Sequence, residues 1–491
     1  MTGRRCSGWS SGIRSWGFAG RVASTIRVGA HAGFITLKQS LPEARGNAVF
    51  VFIQLPRPAG ARTSDLSFAS QSKMTVRMNA PALRPRPTPG LGAAAIGAEE
   101  EALVLDVLRR KEPFRYYGAD FKPTPPMVAQ LEKEFRDYIG TDYALGVSSG
   151  TGALEVALAA MGIGPGDEVI LTAWSWIACF TAIVRVGARP VLAEIDDTLN
   201  LDPAEIGRLA TPRTRAVMIV HYQGVAAAME TIELEAHRRG IYVIEDCAQS
   251  LGTRYRGRQI GTWSDVATFS FQFNKVATCG EGGMVVTRDQ RLYERAVRIS
   301  DLGNYRPYHA SIVPAREPAM VGGQYRLSEL AGAMALAQLR KVDRMRDHCR
   351  SLQARILPRL KGLKGLALRR VPDPAGDFGF ELYLLLDNPA HVAPFREKLD
   401  ARNVNCGART GTYPQYNRDY MQSPQMTHHA ALSPFRDVKP WPALGYRAED
   451  FPRTEDLTRR FVALPIGWLY TPEDADYMAD SILAVHREVC G

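Results

Sequence analysis

The 491-residue chain predicts an α/β protein: a mainly parallel, seven-stranded central sheet followed by a smaller α+β domain at the C-terminal end. Two patterns carry that reading. From about residue 125 to 345, short apolar runs bounded by turn residues alternate with stretches of helical period, which is how strand-helix-strand units look in sequence. After the helix-rich Glu329 to Leu360 the alternation stops, and the remainder to Val489 mixes fewer strands and helices. A composition of 45% hydrophobic and 23% charged residues is ordinary for a globular protein and supplies a sizeable core.

In chain order, residues 1–73 are rich in Gly, Ser and Arg, contain no periodic segment, and carry a balance of +8 out of the formal +10. Two readings of this stretch stay open, a transit peptide or upstream sequence before a start at Met74; the second is the expectation, with the stretch disordered if present. Its most apolar run, Ala48 to Leu55, is far too short to span a bilayer. Residues 74–95 form a Pro-rich arm, centred on Pro81 to Pro89. The large domain is expected over 96–345, with Glu99 to Arg110 as a helix that joins the small domain over 346–491. Strands follow at Tyr143 to Ser149, Glu168 to Ala173, Arg189 to Ile195, Arg215 to His221, Tyr242 to Asp246, Val266 to Gln272 and Met284 to Thr287. With the first 73 residues set aside the charge is only +2, so no basic groove for nucleic acid is implied.

Three segments hold chemistry. The first is Phe269 to Gly283, where Lys275 stands between an aromatic strand end and a turn allowed by Gly280, Gly282 and Gly283. A lysine partly buried between Phe273 and Val276 would lose some of its charge to desolvation and offer a neutral amine; an exposed loop lysine is the alternative. In the second, Ile241 to Gly252, an apolar strand runs into Asp246 at its carboxyl end, where open α/β sheets collect ligands; a helix-capping aspartate is the alternative. In the third, Ser148-Ser149-Gly150-Thr151-Gly152 leads into a helix marked by Leu154, Leu158 and Met161. Its free N-H groups, hydroxyls and helix dipole suit a phosphate, and a plain Ser/Thr cap is the alternative.

Together, in this order, the three segments resemble the DegT/DnrJ/EryC1/StrS family of sugar aminotransferases, whose lysine motif Ser-Phe-His-x-x-Lys, four residues, Gly-Glu-Gly-Gly matches Ser270 to Gly283 except at Gln272. The resemblance extends over roughly residues 90 to 488 and implies fold type I of the pyridoxal phosphate enzymes. It implies that Lys275 is the internal-aldimine lysine and proton-moving base, that Asp246 pairs with the pyridine nitrogen, and that Gln249 bonds the phenolic oxygen. Gly150, Thr151 and Ser270 would hold the phosphate, and Trp176 would stack on the ring, with Trp174 competing for that role. Gly323 to Ser328 resembles the family's Gly-x-Asn-Tyr-Arg-Met-Ser; Gln324, in the asparagine's place, would reach the phosphate of a neighbouring subunit in a homodimer. Leu464-Pro465 and Thr471-Pro472 resemble the closing strand and capped last helix.

The implied activity is transfer of an amino group from glutamate or glutamine to a keto sugar, nucleotide-linked, or to a keto-cyclitol. Gln272 is similar to the branch that aminates keto-cyclitols and to the 3-amino-5-hydroxybenzoate synthases, so a lyase or dehydratase is the alternative, and a non-catalytic regulatory protein of the same fold a further one. Lys275 argues against the sugar-dehydratase relatives, which carry histidine there. Seven scattered cysteines with no Cys-x-x-Cys pair indicate neither a disulfide framework nor zinc, which suits a cytoplasmic protein, and no metal is expected. Cys247 and Cys279 read as small buried hydrophobes and His428-His429 as surface loop. The turn-rich stretches 301–325 and 405–440 contain Asn304, Tyr305, Arg306, His309, Arg409, Tyr413 and Tyr416, which could contact substrate in a loop-built pocket, although for each one plain solvated loop is the expectation.

Overall fold

The computed structural model describes residues 26–31, 34–42, 48–56, 90–116, 126–406, 412–419, 426–436 and 446–491. The proline-rich run 81–89 and Arg409 lie outside them. The chain divides into two units, Met1–Pro81 and Ala82–Gly491. The first contains an antiparallel meander of Ile26–His31, Phe34–Pro42 and Ala48–Pro56. The sequence reading places no regular element there; the β-branched and aromatic run Val49 to Ile53 is the strand former it passes over.

In the second unit seven strands form one sheet: β1 (Tyr143–Val147), β2 (Glu168–Thr172), β3 (Arg189–Ala193), β4 (Thr214–Val220), β5 (Tyr242–Asp246), β6 (Val266–Ser270) and β7 (Gly283–Thr287). Their spatial order is β1-β7-β6-β5-β4-β2-β3, and only β7 runs against its neighbours. The strands are apolar on both faces because helices cover both. In β4, Val217 and Ile219 enter one core with the helices Met127–Ile139, Met229–His237 and Glu329–Leu339, while Ala216, Met218 and Val220 enter the other with Gly150–Ala160, Ile177–Arg185 and Gln290–Ser300. That two-sided burial is why these strands read as continuous apolar runs.

The C-terminal part is a three-stranded antiparallel sheet, β8 (Leu366–Leu368), β9 (Glu381–Leu386) and β10 (Phe461–Pro465), packed with the helices Val392–Asp400 and Pro472–Val489. The expected boundary at 345 falls inside the helix Val342–Leu360. Thr471 caps the last helix through Asp474 in a reciprocal box, with Pro472 at the first helical position, as the sequence predicts. The early helix, Ala98–Arg110, is tied to the C-terminal end of Glu329–Leu339, where Gln338 and Lys341 both donate to Glu100. Among the described residues no helix is long and apolar enough to cross a membrane.

Candidate active site

Strand alternation sorts the two acids at the end of β5. Asp246 shares a face with Ile244, which belongs to the core beneath Gly150–Ala160 and Ile177–Arg185, whereas Glu245 points to the opposite face. On that face Glu245 is fully buried beside His221 (2.9 Å) and accepts from the Gly261 and Trp263 amides and the Ser264 hydroxyl. Burial pushes the Glu245 carboxyl up, but His221 and these donors outweigh it and hold it below the usual carboxylate range. His221, Glu245 and Cys247 are close enough together to hold a metal ion, yet Nδ1 of His221 accepts from Ala227 and the carboxylate is already fully engaged, so the group reads as an internal tie.

Asp246 is buried at the carboxyl end of the sheet. Oδ1 accepts from the Ala248 amide at 2.9 Å, and Oδ2 accepts from the Cys179 thiol at 2.9 Å. The alternative of a helix cap fails: Ala248 belongs to a turn, and no helix begins there. A carboxylate has about four acceptor positions, so these two donors leave room for a third from a ligand. Gln249 stands three residues on, its Oε1 buried and without a hydrogen-bond partner among the described residues.

Ser270, at the end of β6, lies on the same face as Asp246 and meets the start of Gly150–Ala160. A Cβ on Gly150 would approach the Ser270 Cβ to 2.6 Å, and one on Gly283 would approach the Ser149 carbonyl oxygen to 2.4 Å. Glycine at both positions is what lets helix start, β6 and β7 converge. Ser149 caps the helix by accepting from Gly152 N at 2.9 Å, so the plain-cap reading is correct for Ser149. The Gly150 and Thr151 amides, earlier in the same turn, have no acceptor inside the helix and remain available to an anion beside Ser270.

Lys275 sits in the loop that leaves β6, half-buried, with Val276 inside and Phe273 58% exposed. Phe273 thus points largely to solvent within one chain and does not give the expected shielding, whereas Val276 is buried as expected. The loop is braced from within: Lys275 N donates to the Gln272 carbonyl, and the Gln272 Oε1 accepts from Asn274 N at 2.9 Å. Gly280, at φ +84°, turns the chain back toward β7. Behind the loop Gly92 N donates to the Lys275 carbonyl at 3.3 Å, and a Cβ there would meet the Lys275 and Val276 carbonyls within 3.0 Å. Sequence reasoning missed Gly92, which carries no signal in a Gly/Ala-rich stretch.

The two tryptophans divide. Trp174 is 6% exposed and packs edge-on against Tyr222 and Phe461, whereas Trp176 is 43% exposed at the end of the short strand Trp174–Trp176. Gln324 is not brought in with the others. Its segment is anchored beside the glycine turn, where Ser148 N donates to the Tyr325 carbonyl and the Tyr325 hydroxyl donates to Glu155, but the Gln324 side chain is exposed. Of the loop candidates, the side chain of Tyr413, like Arg409, lies outside what the structure describes, and the others pair within the fold, Asn304 donating to the Asp301 carbonyl. His309 is buried between the Tyr116 and Tyr293 hydroxyls, Tyr305 donates to Val313 O, Arg306 pairs with the buried Asp301, and Tyr416 stacks on Phe451 and donates to Glu455. Burial raises the thiol pKa of Cys247 well above its usual value and that of Cys279 to about 12; Cys247 is the buried core residue expected, whereas Cys279 is only partly buried.

The strand ends thus gather an amine, a buried carboxylate, an amide with an orphaned oxygen and a glycine-lined helix start. Residues 119–483 match the model of the DegT/DnrJ/EryC1/StrS aminotransferase family. The chain is 36% identical over 344 residues to dTDP-3-amino-3,4,6-trideoxy-alpha-D-glucose transaminase of Streptomyces venezuelae, covering 70% of this chain and 82% of that one. It is 43% identical over 219 residues to GDP-perosamine synthase of Caulobacter vibrioides, 44% of this chain and 57% of the relative. The solved structure of S. venezuelae DesV in complex with a ketimine intermediate superposes with a TM-score of 0.67 at 31% identity, covering 82% of this chain and 99% of that one. The chain is an aminotransferase with a mainly parallel α/β fold, and it belongs to the DegT/DnrJ/EryC1/StrS family.

Proposed function

We propose that the protein binds pyridoxal 5'-phosphate at these strand ends and moves an amino group from glutamate or glutamine to the keto group of a nucleotide-linked sugar, with a keto-cyclitol as the second acceptor class. The observation that carries this is the convergence on one face of the sheet edge of Asp246, Ser270 and the Gly150–Thr151 helix start, with Lys275 in the loop leaving that edge. Relatives named for dTDP- and GDP-linked sugars favour the nucleotide-linked acceptor.

The residues fit the cofactor. Gly150, Thr151 and Ser270 would take its phosphate, the spare acceptor position of Asp246 its ring nitrogen, the buried amide of Gln249 its phenolic oxygen, and the open face of Trp176 its ring. Bound there, the group supplies an electron sink for charge developing on carbon beside an amine. Asp246 would hold the proton at the ring nitrogen, and Lys275 Nζ would carry the cofactor and shuttle the proton at the reacting carbon. Gln324, exposed on its own chain, would complete the phosphate seat of a second copy, making the active unit a homodimer. Free cysteines among the described residues accord with a cytoplasmic setting.

The test is nitrogen transfer. Purified protein with pyridoxal phosphate and amide- or amino-labelled donor should pass the label to a keto-sugar nucleotide, and Lys275→Ala should abolish both the transfer and the lysine-linked absorbance of the cofactor. Product formed without label would replace this reading with the lyase one.

A further inference from the structure

Among the described residues, the side-chain hydrogen bond that Asp246 accepts comes from a cysteine. Cys179 lies in the first turns of Ile177–Arg185, the helix that begins directly after Trp176, and is fully buried on the face of the sheet that Asp246 shares. Its Sγ is 2.9 Å from Oδ2, while the backbone alone holds Oδ1 through Ala248 N. Without the thiol the carboxylate could rotate about its Cβ-Cγ bond with only one oxygen fixed.

The geometry points to Cys179 as a positioning residue for Asp246: by donating to Oδ2 it fixes the carboxylate plane and leaves the remaining lone pairs aimed at the group Asp246 serves. This rests on the proposed role of Asp246 toward the cofactor's ring nitrogen. The thiol is a donor and not a thiolate, because burial and then the Asp246 charge push its pKa well above the usual value. Ser175, buried near the sulfur, is fixed in turn: its hydroxyl donates to the Trp176 carbonyl at 3.2 Å and its carbonyl accepts from Gln415 Nε2 at 2.6 Å. The other ionisable groups around Asp246 are Lys275, whose charge is felt at Cys179, and Cys247 and Glu245 next along the chain, the latter tied to His221 on the far face.

The competing account is that Cys179 merely fills space, and substitution separates the two by rank. If it packs, Cys179→Val should be tolerated and Cys179→Ser, which buries a hydroxyl, should be worse; if it positions Asp246, the order reverses. On the proposal, Cys179→Val lowers kcat about tenfold at little changed donor KM, and the pH midpoint of the bound cofactor's visible absorbance rises by about half a unit or more, because the ring nitrogen's proton is held less firmly. Cys179→Ser keeps kcat within about threefold and the midpoint near wild type. Thermal melting checks folding, and Cys179→Ala replaces the valine variant if that unfolds. Wild-type kcat and midpoint in the folded variant lacking the donor overturn the proposal. Asp246→Asn is measured alongside: wild-type absorbance and turnover there would remove the ring-nitrogen reading itself, whereas an impaired Asp246→Asn beside an unaffected Cys179→Val removes only the role of the cysteine.

Discussion

Trp174 and Trp176 are two residues apart on a three-residue strand and do different work. The first is enclosed by Tyr222 and Phe461, the second stands 43% exposed beside the strand ends. Trp174→Ala should therefore cost stability, about 3–5 kcal/mol in urea unfolding, and activity only through that loss. Trp176→Ala should leave the unfolding curve nearly unmoved and raise the dissociation constant for pyridoxal phosphate about tenfold, measured by absorbance titration. Equal effects of the two substitutions would contradict the division. At this scale the sequence was most informative where chemistry constrains a residue: it singled out Lys275, Asp246, Ser270 and the Gly150 turn, which the fold brings to the same end of the sheet. It was least informative where the third dimension decides. Nothing local distinguishes Trp174 from Trp176, Cys179 is 67 positions from Asp246, and Gly92 matters only because the Lys275 loop folds back against it.

At the scale of elements the strands were legible because both faces of the sheet are covered, which turns each into an unbroken apolar run, and their ends shifted by only a residue or two. What sequence could not show is how one element terminates another. Helix Met127–Ile139 begins after Pro126 with no side-chain cap of its own, and Glu329, at the start of a helix two hundred residues later, accepts from Met127 N at 2.5 Å and Val128 N at 3.4 Å. Burial pushes the Glu329 carboxyl up to about 7 against the downward pull of those amides. The folded pKa is thus raised above the unfolded value of about 4.3. Between those values the folded chain holds a proton that the unfolded chain has released, so stability falls as pH rises through that window, by up to about 1.4 kcal/mol per unit, and levels off above 7. Glu329→Gln removes this titration. Urea midpoints at pH 5 and pH 7.5 should show the variant gaining on wild type with rising pH; parallel curves would mean that Glu329 is ionised throughout.

For the whole molecule the open question is whether one chain makes a complete site. Six of the seven proposed cofactor contacts, with Lys275, belong to elements that meet at one sheet edge, and the seventh, Gln324, is exposed beside it while its neighbour Tyr325 is anchored to Glu155. Phe273 in the lysine loop, with Leu302, whose amide donates to the Gly323 carbonyl, and Val321, three residues before Gln324, is also exposed, apolar surface of the kind a second copy covers. If Gln324 serves the partner's phosphate, Gln324→Ala should loosen the cofactor and lower activity about tenfold without changing the melting temperature of the cofactor-free protein. Mixing then separates the two arrangements. In a heterodimer of Lys275→Ala and Gln324→Ala chains, a Gln324 acting across the interface restores one whole site, built from the intact lysine of one chain and the intact glutamine of the other. Random reassociation should give about a quarter of wild-type activity, since half the dimers are mixed and each mixed dimer has one whole site of two. A glutamine acting within its own chain gives no site better than the parents, so a mixture that only averages the two variants would place Gln324 in cis and leave the dimer without a catalytic reason.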